Sequence, residues 1–194
     1  MLLSQEIIDR FNKTLHKAGM AGELEPTAMV LATSDGQGLV TSRTVLLKAL
    51  DAEGFVFYSH TGSFKGQQMS ACPRAAATFL WKSTESQVQL VGWIKRVSDA
   101  EADAYFATRD RGSQLGAWAS EQSHVLDSRE TLEQRVRDYE QKFEGQEVPR
   151  PDHWTGFRLQ PETVEFWQGR KFRLHDRFKY SQQDGQWLVL RLYP

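Results

Sequence analysis

A short segment near the C-terminus, RLHDR, combines side chains that bind anions with one that can carry a proton. In a strand, alternate side chains share a face, so Arg173, His175 and Arg177 would point the same way. Two guanidiniums and an imidazole repel one another unless an anion lies opposite them, and a phosphate or an electron-rich ring suits the planar fork of arginine. The alternatives are a solvated strand face, or arginines paired with Glu162 or Glu165.

A second group of polar side chains lies in the stretch YFATRDRGSQLGAWASEQS, residues 105–123. Tyr105 and Arg109 are four residues apart and share one face of a predicted helix. The residues after them form a dense run of donors in a glycine-containing turn region: Arg111, Ser113, Gln114, Gln122 and Ser123. Phosphate sites use such hydroxyls, amides and backbone N–H groups. A polar surface loop between two helices fits the same residues.

Cationic side chains also flank an apolar stretch in the first half of the chain. Arg43 and Lys48 enclose the sequence TVLL, and Lys65 follows in SFK. A lysine that ends an apolar strand can simply extend into solvent. Arg43 and Lys48 differ in parity, so a regular strand would send them to opposite faces. They could serve one site only if the strand twists or bulges, or if they contact different ligands.

The elements that must position these residues are mostly strands joined by hairpins, with helices between them. Apolar residues at helical spacing predict an N-terminal helix within residues 1–22, and the cap residues Ser98 and Ser128 begin two later helices. A short helix is predicted for SFKGQQMSA. Strands are predicted for AMVLATS, LVTSRTVLLKAL, FVFYS, AAATFLW, QVQLVGWIKRV, GFRLQ, ETVEFWQ, KFRLHDRFKY and QWLVLRLY.

This order of elements favours the α+β class. Regular βαβ alternation is missing, so an antiparallel sheet or small barrel decorated by helices is expected. No linker or repeat interrupts the sequence. We therefore predict a single domain over residues 1–194, in which 1–22 form the N-terminal helix and 23–194 form the barrel with its inserted helices.

Composition narrows the classes of protein. Hydrophobic residues make up 40% and charged residues 25%, as in globular proteins, and a net charge of −1 gives no general attraction for nucleic acid. Cys72 is the only cysteine, which excludes an internal disulfide and a cysteine-based zinc site or redox pair, and no metal site is expected. Polar residues interrupt the apolar run at the N-terminus, and no later segment reaches membrane-spanning length. A cytoplasmic, membrane-free protein is expected.

Several of these segments, in this order, resemble the pyridoxamine 5′-phosphate oxidase family. The matching pieces are PTAMVLAT, SRTVLLK, GFVFYSHTGSFK, RDRGSQLGAWASEQS, WTGFRL and EFWQGRKFRLHDRFKY. The resemblance covers the chain from about Pro26 to Pro194. It implies the FMN-binding split-barrel fold, an antiparallel barrel with surrounding helices.

The resemblance also implies a homodimer with FMN at the subunit interface, contacted from both chains. Arg43 and Lys65 would lie near the FMN phosphate. The implied FMN contacts are Arg43, Thr44, Val45, Leu46, Leu47, Lys48, Tyr58, Ser59, Lys65, Gln87, Gln122, Ser123, Trp167 and Arg177.

The implied reaction is the oxidation of pyridoxamine or pyridoxine 5′-phosphate by O2 to pyridoxal 5′-phosphate, with release of hydrogen peroxide. Arg173 and His175, the implied catalytic residues, would lie against the pyridine ring of the substrate. The implied contacts of the substrate phosphate are Lys48, Tyr105, Arg109 and Ser113. Because Arg43 and Lys48 would then serve different phosphates, their difference in parity is explained.

Two features depart from the family pattern. Phe64 stands where many relatives carry a basic residue before the lysine, and no Arg-x-x-Tyr pattern precedes Phe11. Two alternative functions remain open at this point. One is a related flavin oxidase of another pathway, such as phenazine biosynthesis. The other is a non-catalytic small-barrel module that binds single-stranded nucleic acid through Arg and Trp, against which the near-zero net charge counts.

Overall fold

The computed structural model describes residues 2–194 and contains nine strands in one sheet. The strands are β1 (Ala28–Ser34), β2 (Val40–Leu46), β3 (Ala49–Asp51), β4 (Gly54–His60), β5 (Arg74–Trp81), β6 (Ser86–Arg96), β7 (Trp154–Gln168), β8 (Asp176–Gln183) and β9 (Gln186–Leu192). Their order is β2-β1-β5-β6-β7-β4-β3, and β8 pairs with both β7 and β9. Every pairing is antiparallel. The predicted α+β class is confirmed.

The long strand β7 is where the sheet divides. Residues 154–159 pair with β4 and residues 163–168 pair with β8, while β6 runs along the opposite edge. Two separate strands, GFRLQ and ETVEFWQ, were expected here, and that prediction is wrong. Pro161 is accommodated by a register shift between Val91 and Gly92. A side chain at Gly92 would bring its Cβ to 2.1 Å from the Gln160 carbonyl oxygen, so the close approach needs glycine.

Five α-helices accompany the sheet over residues 2–194. They are α1 (Gln5–Met20), α2 (Phe64–Ala71), α3 (Asp99–Ala107), α4 (Arg111–Ala119) and α5 (Arg129–Lys142). The predicted caps form: the Ser98 hydroxyl accepts from the Glu101 N–H at 3.1 Å, and Ser128 accepts from Thr131 N–H at 3.2 Å. None of the helices described over residues 2–194 combines the length and the hydrophobicity that a membrane-spanning helix requires.

Helix α4 replaces the turn region that was expected around Arg111, and that prediction is wrong for residues 111–119. The Asp110 carboxylate caps the helix by accepting from the Ser113 N–H at 2.8 Å. Leu115 and Ala119, one turn apart, are both buried. The cap and this apolar face outweigh the low helix propensity of the two glycines in the helix.

The segment before β8 also differs from the prediction. Lys171–Arg173 form a short 3₁₀ turn, in which Phe172 and Arg173 have φ angles of 59° and 61°. Left-handed backbone at two consecutive residues breaks strand alternation, so Arg173, His175 and Arg177 do not form one row. The Arg170 N–H donates to His175 Nδ1 at 3.1 Å and closes the loop.

Helix α1 packs on the sheet through the apolar face that its spacing predicts. Ile7 and Phe11 are fully buried. The Phe11 ring meets those of Phe55 and Phe79 edge-on, with centroid distances of 5.0 Å for both pairs, and lies 6.0 Å from Trp81. This aromatic cluster anchors the N-terminal helix to β4 and β5.

Replacing Phe11 with leucine should therefore destabilise the protein without touching any candidate site residue. We expect the free energy of unfolding to fall by about 1–2 kcal/mol, from lost ring contacts and a small cavity. Urea unfolding at fixed protein concentration measures the change. Phe64→Leu is the matched control, because Phe64 is half exposed to solvent. An equal loss in both variants would contradict this account of the core.

Candidate active site

A cleft of about 460 Å³ opens where β2, β4 and α2 meet the helical layer formed by α3 and the chain after α4. It gathers residues from two of the three groups that the sequence singled out, the one around Arg43 and the one within residues 105–123. Its walls consist of Arg43, Thr44, Val45, Leu46, Lys48, Tyr58, Ser59, Lys65, Tyr105, Arg109, Gln122, Ser123 and Trp154.

The cleft is strongly cationic. Arg43, Lys48, Lys65 and Arg109 line it, and no carboxylate does. Within residues 2–194 none of these four side chains forms a salt bridge. Gathering four like charges without counter-charges is unfavourable unless anions bind there. The cleft is therefore suited to phosphate groups.

Arg43 and Lys65 are held by neutral acceptors at one end of the cleft. Arg43 Nη1 donates to the Leu31 carbonyl at 3.0 Å and to Thr33 Oγ1 at 2.7 Å. Lys65 is only 8% exposed, and its Nζ donates to Gln122 Oε1 at 2.7 Å. Burial, and then the charge of Arg43, lower the pKa of Lys65 to about 8. Both side chains are fixed in place while their charge stays uncompensated.

A break between strands explains how Arg43 and Lys48 reach the same cleft. Strand β2 ends at Leu46, and β3 begins at Ala49. Between them the Leu47 N–H donates to the Thr27 carbonyl at 2.9 Å and the Lys48 N–H donates to Val56 at 2.8 Å. Leu47 turns into the core at this point. The single strand predicted for LVTSRTVLLKAL is thus wrong, and its parity rule does not apply to Lys48.

Stacked aromatic rings form the wall of the cleft on the side of Arg109. The Tyr58 ring stacks on Tyr105 with a centroid distance of 3.9 Å and on Trp154 at 5.0 Å. Burial raises the pKa of Tyr58 to about 12, so its hydroxyl stays neutral. The Arg109 guanidinium lies 4.8 Å from the Trp154 ring centroid. Its Nη1 is buried and has no hydrogen-bond partner within residues 2–194.

A second group of predicted residues lies elsewhere on the chain. Gln87, Trp167 and Arg177 occupy one row across β6, β7 and β8, because Trp167 is paired with Gln87 on one side and Arg177 on the other. The His175 ring lies 4.5 Å from that of Trp167, and Arg173 precedes it in the left-handed loop. None of these five residues lines the cleft.

Two of the predicted contact residues, Arg177 and Ser113, interact with or lie among residues outside the cleft. Arg177 pairs with Glu165 through bonds of 2.7 and 3.1 Å, as the alternative from the sequence allowed, whereas Glu162 pairs with Arg74. Ser113 lies in the first turn of α4 and does not line the cleft.

Comparison with known proteins decides the family. The sequence-family model described as pyridoxamine 5′-phosphate oxidase matches residues 16–143. A second family model, described as the pyridoxine 5′-phosphate oxidase C-terminal dimerisation region, matches residues 154–194. The chain belongs to the pyridoxamine 5′-phosphate oxidase family. The cleft lies almost wholly in the first matched region, and the Gln87–Trp167–Arg177 row lies mostly in the second.

Full-length relatives agree with this assignment. A pyridoxine/pyridoxamine 5′-phosphate oxidase from Myxococcus xanthus is 49% identical over 194 residues, which cover 100% of this chain and 94% of the relative. A pyridoxine/pyridoxamine 5′-phosphate oxidase from Rubrobacter xylanophilus is 51% identical over 187 residues, which cover 96% of this chain and 86% of the relative. Pyridoxamine 5′-phosphate oxidases are oxidoreductases, and the relatives' names place this chain among them.

Solved structures support the split-barrel fold. PhzG from Burkholderia lata, in complex with tetrahydrophenazine-1-carboxylic acid, superposes with a TM-score of 0.92 at 29% identity, covering 96% of this chain and 92% of PhzG. A related FMN-binding protein from Nostoc punctiforme has a TM-score of 0.74 at 16% identity, with 100% of both chains covered. The predicted antiparallel split barrel is confirmed.

Sequence reasoning missed three residues of the site. Trp154 lines the cleft, Gln68 Oε1 accepts from Arg43 at 3.3 Å, and His60 is buried directly after Ser59, which lines the cleft. Burial, and then the charge of His153, lower the pKa of His60 to about 4, so it adds no charge near the cations. No local pattern marks these residues, since each reaches the site through pairing or packing between distant segments.

Proposed function

We propose that the protein oxidises pyridoxamine or pyridoxine 5′-phosphate to pyridoxal 5′-phosphate, with FMN as cofactor and O2 as the electron acceptor, and releases hydrogen peroxide. The observation that carries the proposal is the cleft with four cations and no carboxylate. Cofactor and substrate each bring a phosphate, and together they would supply the missing negative charge.

The residues present fit FMN. Arg43 and Lys65 would hold its phosphate, because both are fixed by neutral acceptors and carry uncompensated charge. When bound, FMN would supply the two-electron redox chemistry that the oxidation of the substrate requires. The chain orients the two partners and neutralises their phosphates. The remaining FMN contacts within the cleft would come from Thr44, Val45, Leu46, Lys48, Tyr58, Ser59, Gln122 and Ser123, with Leu47 behind them.

The substrate phosphate would lie at the other end of the cleft. Lys48, Tyr105 and Arg109 line the cleft, and the unpartnered Nη1 of Arg109 offers a donor to a phosphate oxygen. Ser113 would join them after a side-chain adjustment or substrate-induced closure. Arg173 would orient the pyridine ring, assisted by His175.

A second subunit would bring the two groups of residues together. In one chain, Arg173 and the Gln87–Trp167–Arg177 row lie outside the cleft, so we propose that they serve the cleft of the partner in a homodimer. Exposed apolar side chains on the loop and on β9, among them Leu174 and Leu190, support a subunit contact in this region. The matched C-terminal dimerisation region includes both.

The proposal is tested by the visible spectrum of the purified protein supplied with FMN, before and after anaerobic addition of pyridoxamine 5′-phosphate. Loss of the flavin band, with pyridoxal 5′-phosphate formed once air is admitted, is the expected result. An unchanged band with both pyridoxamine and pyridoxine 5′-phosphate would contradict the proposed substrate.

The second candidate is a flavin oxidase of phenazine biosynthesis, which the structural likeness to PhzG favours. This chain is 29% identical to PhzG but 49% identical to the Myxococcus xanthus relative, so the phenazine-type function ranks behind oxidation of the phosphorylated vitamers. A dihydrophenazine or tetrahydrophenazine carboxylic acid that bleaches the flavin where both vitamers fail would reverse this order.

The depressed pKa of Lys65 predicts that FMN binding weakens in alkaline solution. In the FMN-free protein its pKa is about 8, below the ordinary 10.5, because burial disfavours the ammonium. A phosphate dianion stabilises the ammonium, so binding takes up a proton above pH 8. The dissociation constant should therefore rise between pH 8 and 10, by up to about tenfold per unit. By the same linkage, the stability of the FMN-free protein should rise over this range.

Fluorescence titration of FMN at a series of pH values measures this dependence. Lys65→Arg is the control, because a guanidinium stays protonated over this pH range. This variant should therefore lose the part of the pH dependence of the FMN dissociation constant that Lys65 causes. The same slope in both proteins would show that another group titrates.

A further inference from the structure

The surroundings of Arg109 differ from those of Arg150 and Arg158, which contact helix α3. Arg150 forms salt bridges with Asp99 and Asp103. Arg158 forms salt bridges with three carboxylates, those of Asp51, Glu53 and Glu101. Arg109 instead lies 4.8 Å from the ring centroid of Trp154 and 5.6 Å from that of Phe106. An aromatic face attracts a guanidinium without neutralising it.

Trp154 is itself held rigidly. It is 4% exposed at the start of β7, and its ring lies nearly parallel to that of Tyr58, with an interplanar angle of 11°. The ring of Phe106 meets it edge-on, at 5.1 Å and 71°. Tyr105 stacks on Tyr58 at 3.9 Å, and its ring lies parallel to that of Trp154, with an interplanar angle of 2° and a centroid distance of 6.2 Å. The indole therefore has little freedom to tilt, and it gives the guanidinium a fixed platform.

The charge of Arg109 is left available by this arrangement. Burial lowers its pKa, the opposite of the rise that carboxylates cause for Arg150 and Arg158. Its Nη1 is buried without a partner in the described chain, so a donor remains unused inside the site. A carboxylate in place of the indole would occupy that donor and compete with a phosphate.

We infer that Trp154 is a positioning residue for recognition of the substrate phosphate: it holds Arg109 by stacking instead of ion pairing, so that the guanidinium binds the phosphate with its charge intact. This inference rests on the proposed function, in which Arg109 binds the phosphate of the vitamer. It extends that function by assigning discrimination between phosphorylated and unphosphorylated vitamers to an aromatic residue outside the predicted set.

The test compares Trp154→Leu and Trp154→Phe holoenzymes with the wild type. W154L should raise KM for pyridoxamine 5′-phosphate about 10- to 30-fold, as expected for loss of a desolvated cation–π contact, with a smaller change in kcat. The kcat/KM for unphosphorylated pyridoxamine should change less than about threefold. W154F keeps a smaller aromatic face and should have an intermediate KM, about threefold above that of the wild type, because phenylalanine attracts a cation less strongly than tryptophan does. An equal loss on both substrates would overturn the inference.

Trp93→Leu is the matched control. Trp93 also stacks with an arginine, Arg74 at 4.5 Å, but it lies outside the cleft and is partly exposed. W93L should leave KM for the phosphorylated substrate unchanged. A rise in KM equal to that of W154L would mean that loss of any Arg–Trp stack is enough, and would overturn the specific role.

Two measurements keep the inference testable if W154L does not fold or if the proposed substrate is wrong. In an Arg109→Lys background, W154F should alter KM no further, because the stack acts through the guanidinium; additive effects would overturn the inference.

Calorimetric titration of FMN-loaded protein with inorganic phosphate is independent of turnover. W154F should bind phosphate more weakly than the wild type even if neither vitamer is oxidised, and unchanged phosphate binding would overturn the inference.

Discussion

Replacing Arg173 with leucine is expected to lower turnover of pyridoxamine 5′-phosphate by about 10²–10³-fold, the usual cost of losing one positioned charged donor. FMN content should stay near that of the wild type. The physical reason is the position of Arg173 in a left-handed loop outside the cleft that holds Arg43 and Lys65. Its proposed contact is with the pyridine ring, whereas the FMN phosphate is held by other residues.

The measurement is the oxidase rate per bound flavin, with flavin counted by absorbance after the protein is denatured. Lys171→Leu is the control, because Lys171 is exposed and belongs to the same short turn. It removes one positive charge from the loop and should leave turnover within about twofold, as for most surface changes. Parallel loss of rate and of flavin in R173L would contradict an orienting role.

Replacing Lys65 with methionine is expected to weaken FMN binding by about 10- to 100-fold. A hydrogen bond to a charged partner contributes about 1.5–3 kcal/mol, and each 1.4 kcal/mol is a factor of ten in affinity. The FMN-free protein, in contrast, should not lose stability. Burial makes the ammonium of Lys65 costly in the absence of an anion, as its lowered pKa indicates, and methionine fills a similar volume without charge.

Fluorescence titration gives the FMN dissociation constant, and urea unfolding of the FMN-free protein gives its stability. Lys82→Met is the control, since Lys82 is exposed in the turn before β6 and does not line the cleft. A K65M protein that binds FMN normally would exclude Lys65 from the phosphate site. Loss of stability in the FMN-free form would show that Lys65 has a structural role instead.

Local patterns in the sequence are sufficient to predict the fold class and most of the elements. Strand alternation, the face of α1 that carries Ile7 and Phe11, and the caps at Ser98 and Ser128 involve residues at most a few positions apart, so they can be recognised locally. The family resemblance added the split barrel, which the comparisons confirm, and a set of site residues. Twelve of the residues in that set line one cleft: Arg43, Thr44, Val45, Leu46, Lys48, Tyr58, Ser59, Lys65, Tyr105, Arg109, Gln122 and Ser123.

The arrangement of those residues in space could not be predicted from local patterns. Lys48 joins Arg43 because the chain leaves the sheet after Leu46, and β7 continues past Pro161 because Gly92 on the neighbouring strand allows close approach. Left-handed backbone at Arg173 interrupts the strand in which Arg173, His175 and Arg177 were predicted to share one face. In the first two cases a contact with a distant segment outweighs the local preference, and local periodicity carries no information about such contacts.

The same reason explains why Trp154 could not be recognised in advance. A tryptophan at the start of a strand reads as a core residue, and packing with Phe106 confirms that part of its role. Its contact with Arg109 joins a strand to the link that follows α3, 45 positions earlier in the chain, because α3 ends at Ala107 and not beyond Arg109 as the sequence predicted. Which ring lies beneath which charge is set by how the helical layer packs on the sheet, and that is a property of the whole fold.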